Sequence, residues 1–369
     1  MIGTKMKVPY IQLGSQHQPI REELLEEIGK LLDSGMFILG DAVSSFERAF
    51  AELCGTKYAV GVGNGTDTMV LCLQAWGIGP GDEVITAPNS YLASGSCIAL
   101  AGATPVFADV RDDFNLDPAS VEAAITDKTK AIIPVHLTGR PANMDAINAI
   151  AERHNLKVLE DAAQAVGAQY KGKPVGGLAD AASFSLHPLK NLSAIGDAGI
   201  VTTNDKDLYE HLLKARTHGH VSRDEVAFFS MNSRLDAVQA AVLNVKIRYV
   251  SQWNDRRRAI AAYYTEQIGA LVHAPSDTEA ERAVYHTYII QTDQRDALQQ
   301  HLKEHGVDSK IHYPIPIHLQ EAAQYLGYKQ GDFPVTERQT ETILSLPVFP
   351  ELEDAQVEHV AQTIKDFFA

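Results

Sequence analysis

The chain has 369 residues, 45% of them hydrophobic and 21% charged, with a formal net charge of −15. This composition excludes a disordered chain, and its acidity argues against nucleic acid or an anionic membrane as partner, so a phosphate-bearing ligand must be held by local donors. The length exceeds what one ordinary core fills and predicts about two domains.

The three cysteines, Cys54, Cys72 and Cys97, are odd in number and show no metal-ligand spacing, which predicts a reducing compartment and no metal site. Residues 1–7 lack the apolar run of a signal peptide, and no run of about 18 apolar residues occurs anywhere; the expectation is a cytoplasmic protein without a membrane span.

In chain order, apolar residues at helical spacing predict helices over 18–34 and 44–53. A regular alternation then begins. Strands are predicted at 58–62, 83–87, 104–109, 131–136, 157–160, 181–185 and 199–203, with helices at 66–76, 90–101, 118–125, 143–154 and 205–215. That rhythm predicts an α/β fold with a mostly parallel sheet covered by helices on both faces. Residues 234–258 are apolar-periodic and proline-free and read as one long helix continuing toward Tyr264. A strand at 285–290, a helix at 293–304, a proline-rich stretch at 312–318 and a final helix at 354–368 complete a smaller α+β region. The expected division is 1–245 for the large domain and 246–369 for the small one.

Ligands of doubly wound sheets gather beyond the carboxyl ends of the strands. After strand 58–62 comes Gly63-Asn64-Gly65-Thr66-Asp67, running straight into a helix. This is either a plain capped turn or a cradle for one phosphate, made of free N–H groups, a helix dipole and a hydroxyl. After strand 157–160 stands Asp161, which is either a helix cap or an acid that needs a buried cationic partner. Tyr91 follows strand 83–87 and is either an ordinary tyrosine or an aromatic face at the same edge. Lys190 lies in mostly neutral sequence beyond strand 181–185; it is a snorkelling surface residue or an amine held for Schiff-base chemistry, since desolvation favours the neutral, nucleophilic form. A phosphate cradle, an aromatic face, an acid for a ring nitrogen and an amine together describe a site for pyridoxal 5'-phosphate.

The residues that carry these features resemble the DegT/DnrJ/EryC1/StrS sugar aminotransferases, enzymes of fold type I. The matching stretches are Gly63 to Asp67, Glu160 to Ala168, Ser185 through Lys190-Asn191-Leu192, Gly196-Asp197-Ala198-Gly199, Asn232-Ser233-Arg234-Leu235 with Gln239-Ala240-Ala241, and His312 to Gln320. They recur in order over nearly the whole chain. The resemblance implies that Lys190 binds the cofactor aldehyde and acts as the acid and base. It implies that Asp161 pairs with the pyridine nitrogen, Gln164 touches the ring hydroxyl and Tyr91 stacks on the ring. Gly65, Thr66 and Ser185 would hold the phosphate, joined by Asn232 from a second subunit, which implies a homodimer with shared sites. Members that carry histidine in place of the lysine remove a hydroxyl instead; Lys190 disfavours that branch. Ser193 departs from the glycine commonest at its place.

The implied reaction moves nitrogen from an amino acid, by resemblance L-glutamate, to a nucleotide-linked keto-sugar. His312, Tyr313 and His318, with the segment from Arg216 to His220 that includes His218, are the candidates for the sugar-diphosphate side, against the alternative of ordinary loop residues. His187 is read as structural, with substrate contact as the alternative. The block from His312 to Gln320 looks like that of members aminating the C3 carbon. Competing readings are a 4-keto-sugar or cyclitol aminotransferase or a dehydratase of the same fold, and a non-catalytic regulatory or sensor protein that keeps the cofactor pocket.

Overall fold

The computed structural model describes residues 6–369. Helices α1 (Leu13–His17), α2 (Arg21–Ser34) and α3 (Gly40–Cys54) precede strand β1 (Tyr58–Val62). Then follow α4 (Gly65–Ala75), β2 (Glu83–Thr86), α5 (Ala93–Leu100), β3 (Thr104–Phe107), α6 (Pro118–Ala124), β4 (Thr129–Ile133), α7 (Met144–His154) and β5 (Lys157–Asp161). A short ribbon of β6 (Gln169–Tyr170) and β7 (Lys173–Pro174) leads to β8 (Ala181–Ser185), β9 (Gly199–Thr203) and α8 (Lys206–Ala215). The remainder comprises α9 (Ala237–Lys246), α10 (Val250–Ile268), β10 (Glu281–Arg282), β11 (Tyr288–Gln291), α11 (Arg295–Glu304), α12 (Pro334–Thr342), β12 (Ile343–Leu346) and α13 (Asp354–Phe368).

Seven strands form one sheet in the order β1-β9-β8-β5-β4-β2-β3. Only β9 runs against the others, pairing antiparallel with β1 and β8, while β8, β5, β4, β2 and β3 pair parallel. Neighbouring residues of each strand serve opposite faces, as the pleat requires. Val60, Ala131, Leu159 and Val201 pack with α4, α5 and α8. Ala59, Ala182 and Phe184 meet α3 and α9 on the other side, and Ile132 and Val158 meet α7 there. Parallel strands buried on both faces read as continuous apolar runs, which is why the sequence shows them.

A second core gathers Ile260, Tyr264, Tyr288, Leu298, Leu302, Leu344, Leu346, Val360 and Ile364. It is built on α10, α11, α13 and the antiparallel pair β11 and β12. Val8 belongs to this core and bridges to Val307, so the start of the described chain packs with its last third.

The long helix expected from residue 234 is two helices. Arg248 N and Tyr249 N bond to carbonyls three residues back, at 3.3 and 3.0 Å, a tighter turn that re-aims α10. The Arg248 and Tyr249 side chains both reach Glu23 of α2, a tertiary anchor that no local pattern shows. The strand expected from 285 begins at Tyr288, and α12 and β12 were not foreseen. Among the described residues no helix is long and apolar enough to cross a membrane.

Candidate active site

The carboxyl ends of β1, β2, β5 and β8 share one edge of the sheet, and the loop after β8 carries Lys190 there. That loop is closed by Leu186 N to Ala198 O and by Ala194 N to Leu186 O, both 2.8 Å. Lys190 is partly buried. Desolvation draws its amine down from 10.5 to about 8, while the Asp161 carboxylate pulls the other way.

Beyond β1 the chain turns into α4. Asn64 caps the helix by accepting from Asp67 N at 2.9 Å, and Gly63 N donates to Ser233 Oγ at 3.0 Å. A Cβ on Gly65 would stand 2.7 Å from that of Ser185, and one on Gly199 would stand 2.3 Å from Asn64 O. Two glycines therefore let the helix start lie directly on the ends of β8 and β9. Thr68 bonds both Gly65 O and the Ser183 hydroxyl, which fixes the first turn of α4 to β8. Thr66 and Ser185 are partly exposed on this cradle. The result is a pocket of free helix N–H groups beside a serine hydroxyl, the donor set of an anion site.

Asp161, the last residue of β5, is 4% exposed. No helix follows it, so the capping alternative fails. Its Oδ2 accepts from Ser94 Oγ at 2.7 Å and its Oδ1 from Ala163 N at 3.2 Å. Ser94 in turn meets Ser90 at 2.8 Å. Sequence reasoning missed Ser94; its signal was the pair of serines four apart opening the helix after β2. Gln164 is buried and its Oε1 accepts from Thr138 N at 2.7 Å. The rings of Tyr91 and Tyr313 lie 5.8 Å apart, tilted by 48°. Burial raises the Tyr313 phenol, and Asp161 raises it further. Behind β5, Glu160 is fully buried and accepts from Gly176 N and Leu178 N at 3.1 and 2.8 Å. His136 accepts Ala142 N on Nδ1 at 3.0 Å, so its Nε2 carries the hydrogen donated to Glu160 at 3.0 Å.

Two imidazoles lie within the field of the Lys190 charge. His312 contacts Ser345 Oγ through Nδ1 at 2.9 Å, and burial followed by the Lys190 charge lowers its pKa to about 4. His286, absent from the sequence expectations, contacts Asn191 Oδ1 through Nδ1 at 3.2 Å. Burial, then Lys190, Arg257 and His312, hold its pKa well below 6.5.

Other expected residues lie elsewhere. His187 is exposed, and its Nδ1 accepts from Leu189 N at 3.3 Å within its own turn. His318, expected on the sugar-diphosphate side, is 2% exposed, edge-on to Phe333 at 4.7 Å and bonded to Glu337 at 3.1 Å. Phe333 belongs to a satellite core with Phe107 and Ile317. Arg216 is likewise turned inward, paired with Glu47 and donating to Gly61 O at 2.9 Å. His218 and Asn232 stand exposed on the excursion 217–232; His218 N bonds to Met231 O at 3.0 Å and its ring faces His220.

The donor set fits pyridoxal phosphate: an anion cradle at Gly65 and Ser185, a buried carboxylate held by two donors, and an amine shifted toward its neutral form. The sequence profile of the DegT/DnrJ/EryC1/StrS aminotransferase family matches residues 18–365. The chain is 46% identical to a Geobacillus stearothermophilus protein named "Pleiotropic regulatory protein", over 98% of this chain and 99% of that one. It is 43% identical to the dTDP-3-amino-3,6-dideoxy-alpha-D-galactopyranose transaminase of Aneurinibacillus thermoaerophilus, over 98% and 99% of the two chains. The crystal structure of S. venezuelae DesV in complex with a ketimine intermediate superposes with a TM-score of 0.96 at 40% identity, covering 98% of each chain. The chain belongs to the DegT/DnrJ/EryC1/StrS aminotransferase family and is a pyridoxal-phosphate-dependent sugar aminotransferase.

Proposed function

We propose that the enzyme transfers an amino group from an amino acid, L-glutamate, to C3 of a nucleotide-linked 3-keto sugar. The observation that carries the reaction type is Lys190 at the carboxyl edge of the sheet, its desolvated amine lowered to about 8 within the field of the buried Asp161 carboxylate. The position C3 is supported by the block from His312 to Gln320 and by the transaminase relative, which makes a 3-amino sugar by its name.

Pyridoxal phosphate, when bound, supplies an aldehyde that condenses with amines and a ring that accepts the electron pair left when a carbon loses its proton. Gly65, Thr66 and Ser185 would hold its phosphate, and Tyr91 would stack on its ring. Gln164, whose oxygen accepts from Thr138 N and whose side chain also bonds Tyr313, would meet the ring hydroxyl with its NH2. Asp161 would keep a proton on the ring nitrogen. Lys190 Nζ takes the proton from the donor carbon and returns it, a role suited to an amine that titrates near neutrality. His312 and Tyr313 face the acceptor. Two subunits complete each site, with Asn232 of the partner subunit reaching the phosphate, in a cytoplasmic homodimer whose chains divide at about residue 245.

The experiment is a panel of nucleotide-linked 3-keto and 4-keto sugars offered with L-glutamate. Turnover of 3-keto sugars supports the assignment; turnover of 4-keto sugars alone moves the amine to C4. The regulatory name of one relative favours a second reading, a sensor that binds the cofactor without turnover. A yellow protein whose near-visible band persists in L-glutamate would support it.

A further inference from the structure

The side chain of Asn191, next to Lys190, has its two ends assigned by carbonyl groups. Its Nδ2 donates to Val284 O at 3.0 Å and to Asn254 Oδ1 at 2.9 Å. Asn254 is itself oriented by donating from Nδ2 to Val166 O at 2.9 Å. Carbonyl oxygens only accept, so the chain has one polarity, and Asn191 Oδ1 must accept from its remaining neighbour. That neighbour is His286 Nδ1, at 3.2 Å, which therefore carries a hydrogen.

The surroundings of the ring fix its charge. Lys190, Arg257 and His312 all disfavour a positive imidazole, in addition to burial. A neutral ring with its hydrogen on Nδ1 has a bare lone pair on Nε2. His286 is half-buried in the stretch before β11, and its backbone is at the site: a Cβ on Gly139 would stand 3.1 Å from His286 N and 2.8 Å from Gln164 O. An acceptor-only nitrogen repels the carboxylates of an amino acid and the oxygen of a ketone. It suits an O–H group.

We propose that His286 is a specificity-determining residue that presents Nε2 as a fixed hydrogen-bond acceptor to the hydroxyl beside the reacting carbonyl of the acceptor sugar. The proposal rests on the keto-sugar reading above. Asparagine keeps a donor near the Nδ1 position and removes Nε2, whereas glutamine extends an amide to the Nε2 position and gives up the bond to Asn191. The two half-reactions of the holoenzyme are followed separately, by loss of the near-visible band with L-glutamate and by its return with a nucleotide-linked 3-keto sugar. H286N is expected to slow the return at least about tenfold more than the loss, with partial recovery in H286Q. An H286N return at the wild-type rate, or equal slowing of both halves, overturns the proposal. Independently of activity, 15N NMR of histidine-labelled apoenzyme is expected to show His286 protonated on Nδ1 alone, without titration between about pH 5.5 and 8.5. A hydrogen on Nε2, or a midpoint near the ordinary histidine value, overturns it. A wild type whose band no keto-sugar restores overturns the functional reading and the proposed hydroxyl together; a wild type that turns over beside an unaffected H286N overturns this proposal alone.

Discussion

Ser94 Oγ, in the first turn of α5, donates at 2.7 Å to Asp161 Oδ2 at the end of β5. The contact joins residues 67 apart in the sequence and holds the buried carboxylate at the end of β5. Replacing Ser94 with alanine removes one of its two protein donors. S94A is expected to lower the unfolding free energy in urea by about 1.5–3 kcal/mol, the cost of losing a hydrogen bond to a buried charged group, and to weaken cofactor binding. Unchanged stability and affinity would show that Asp161 needs no such support.

The approach of α4 to β8 allows no side chain at Gly65, because a Cβ there would meet both Cβ and Cα of Ser185, at 2.7 and 3.1 Å. G65A should push the helix start off the strand and raise the cofactor dissociation constant at least about tenfold, as a displaced anion site implies. Absorbance titration of the apoenzyme with pyridoxal phosphate measures it.

Lys190 sets a pH signature. In the unfolded chain its amine titrates near 10.5 and in the folded one near 8. Between those values the unfolded chain holds the extra proton, so this residue makes the apoenzyme more stable as pH rises from 8 to 10.5, and its unfavourable contribution is fully present below 8. Lys246, also lowered to about 8, remains in both proteins of the comparison. Urea unfolding of wild type and K190M across this range should show a steeper rise in the wild type; parallel curves would contradict the shifted amine.

The inward turn of Arg216 predicts a structural rather than substrate-binding role. R216M leaves the half-buried Glu47 with Gly61 N as its donor, and is expected to cost about 1.5–3 kcal/mol of stability, the range for a lost hydrogen bond between charged groups. The acceptor KM of the folded fraction should stay within about twofold, since a group that does not touch substrate contributes no binding. A KM raised tenfold at unchanged stability would return Arg216 to the sugar side.

The seven strands of the large sheet and the helices between them, from Tyr58 to Ala215, were legible because a sheet buried on both faces leaves uninterrupted apolar runs separated by amphipathic stretches, whereas the short ribbon of β6 and β7 was not. The cofactor cradle was legible because glycine and a capping asparagine at the end of a strand are local signals. What failed depended on tertiary contacts. The turn at Ile247 to Tyr249 interrupts a periodic, proline-free stretch, and its anchor is Glu23. His318 looked like a ligand residue by its place beside Tyr313, but Phe333 and Glu337 enclose it. His286 was hidden inside an expected strand that starts two residues later. Ser193 departs from the usual glycine, and its partner, which no local pattern shows, is a fully buried lysine, Lys246, whose Nζ donates to it at 2.7 Å.

The most direct test of the account is the absorption spectrum of the protein loaded with pyridoxal phosphate, before and after L-glutamate, in wild type and K190A. The account predicts a yellow wild type whose near-visible band is lost with L-glutamate and returns with a nucleotide-linked 3-keto sugar, and a K190A protein that completes neither change at a comparable rate. A colourless wild type that stays colourless with added pyridoxal phosphate, or a K190A protein that turns over at the wild-type rate, would contradict it.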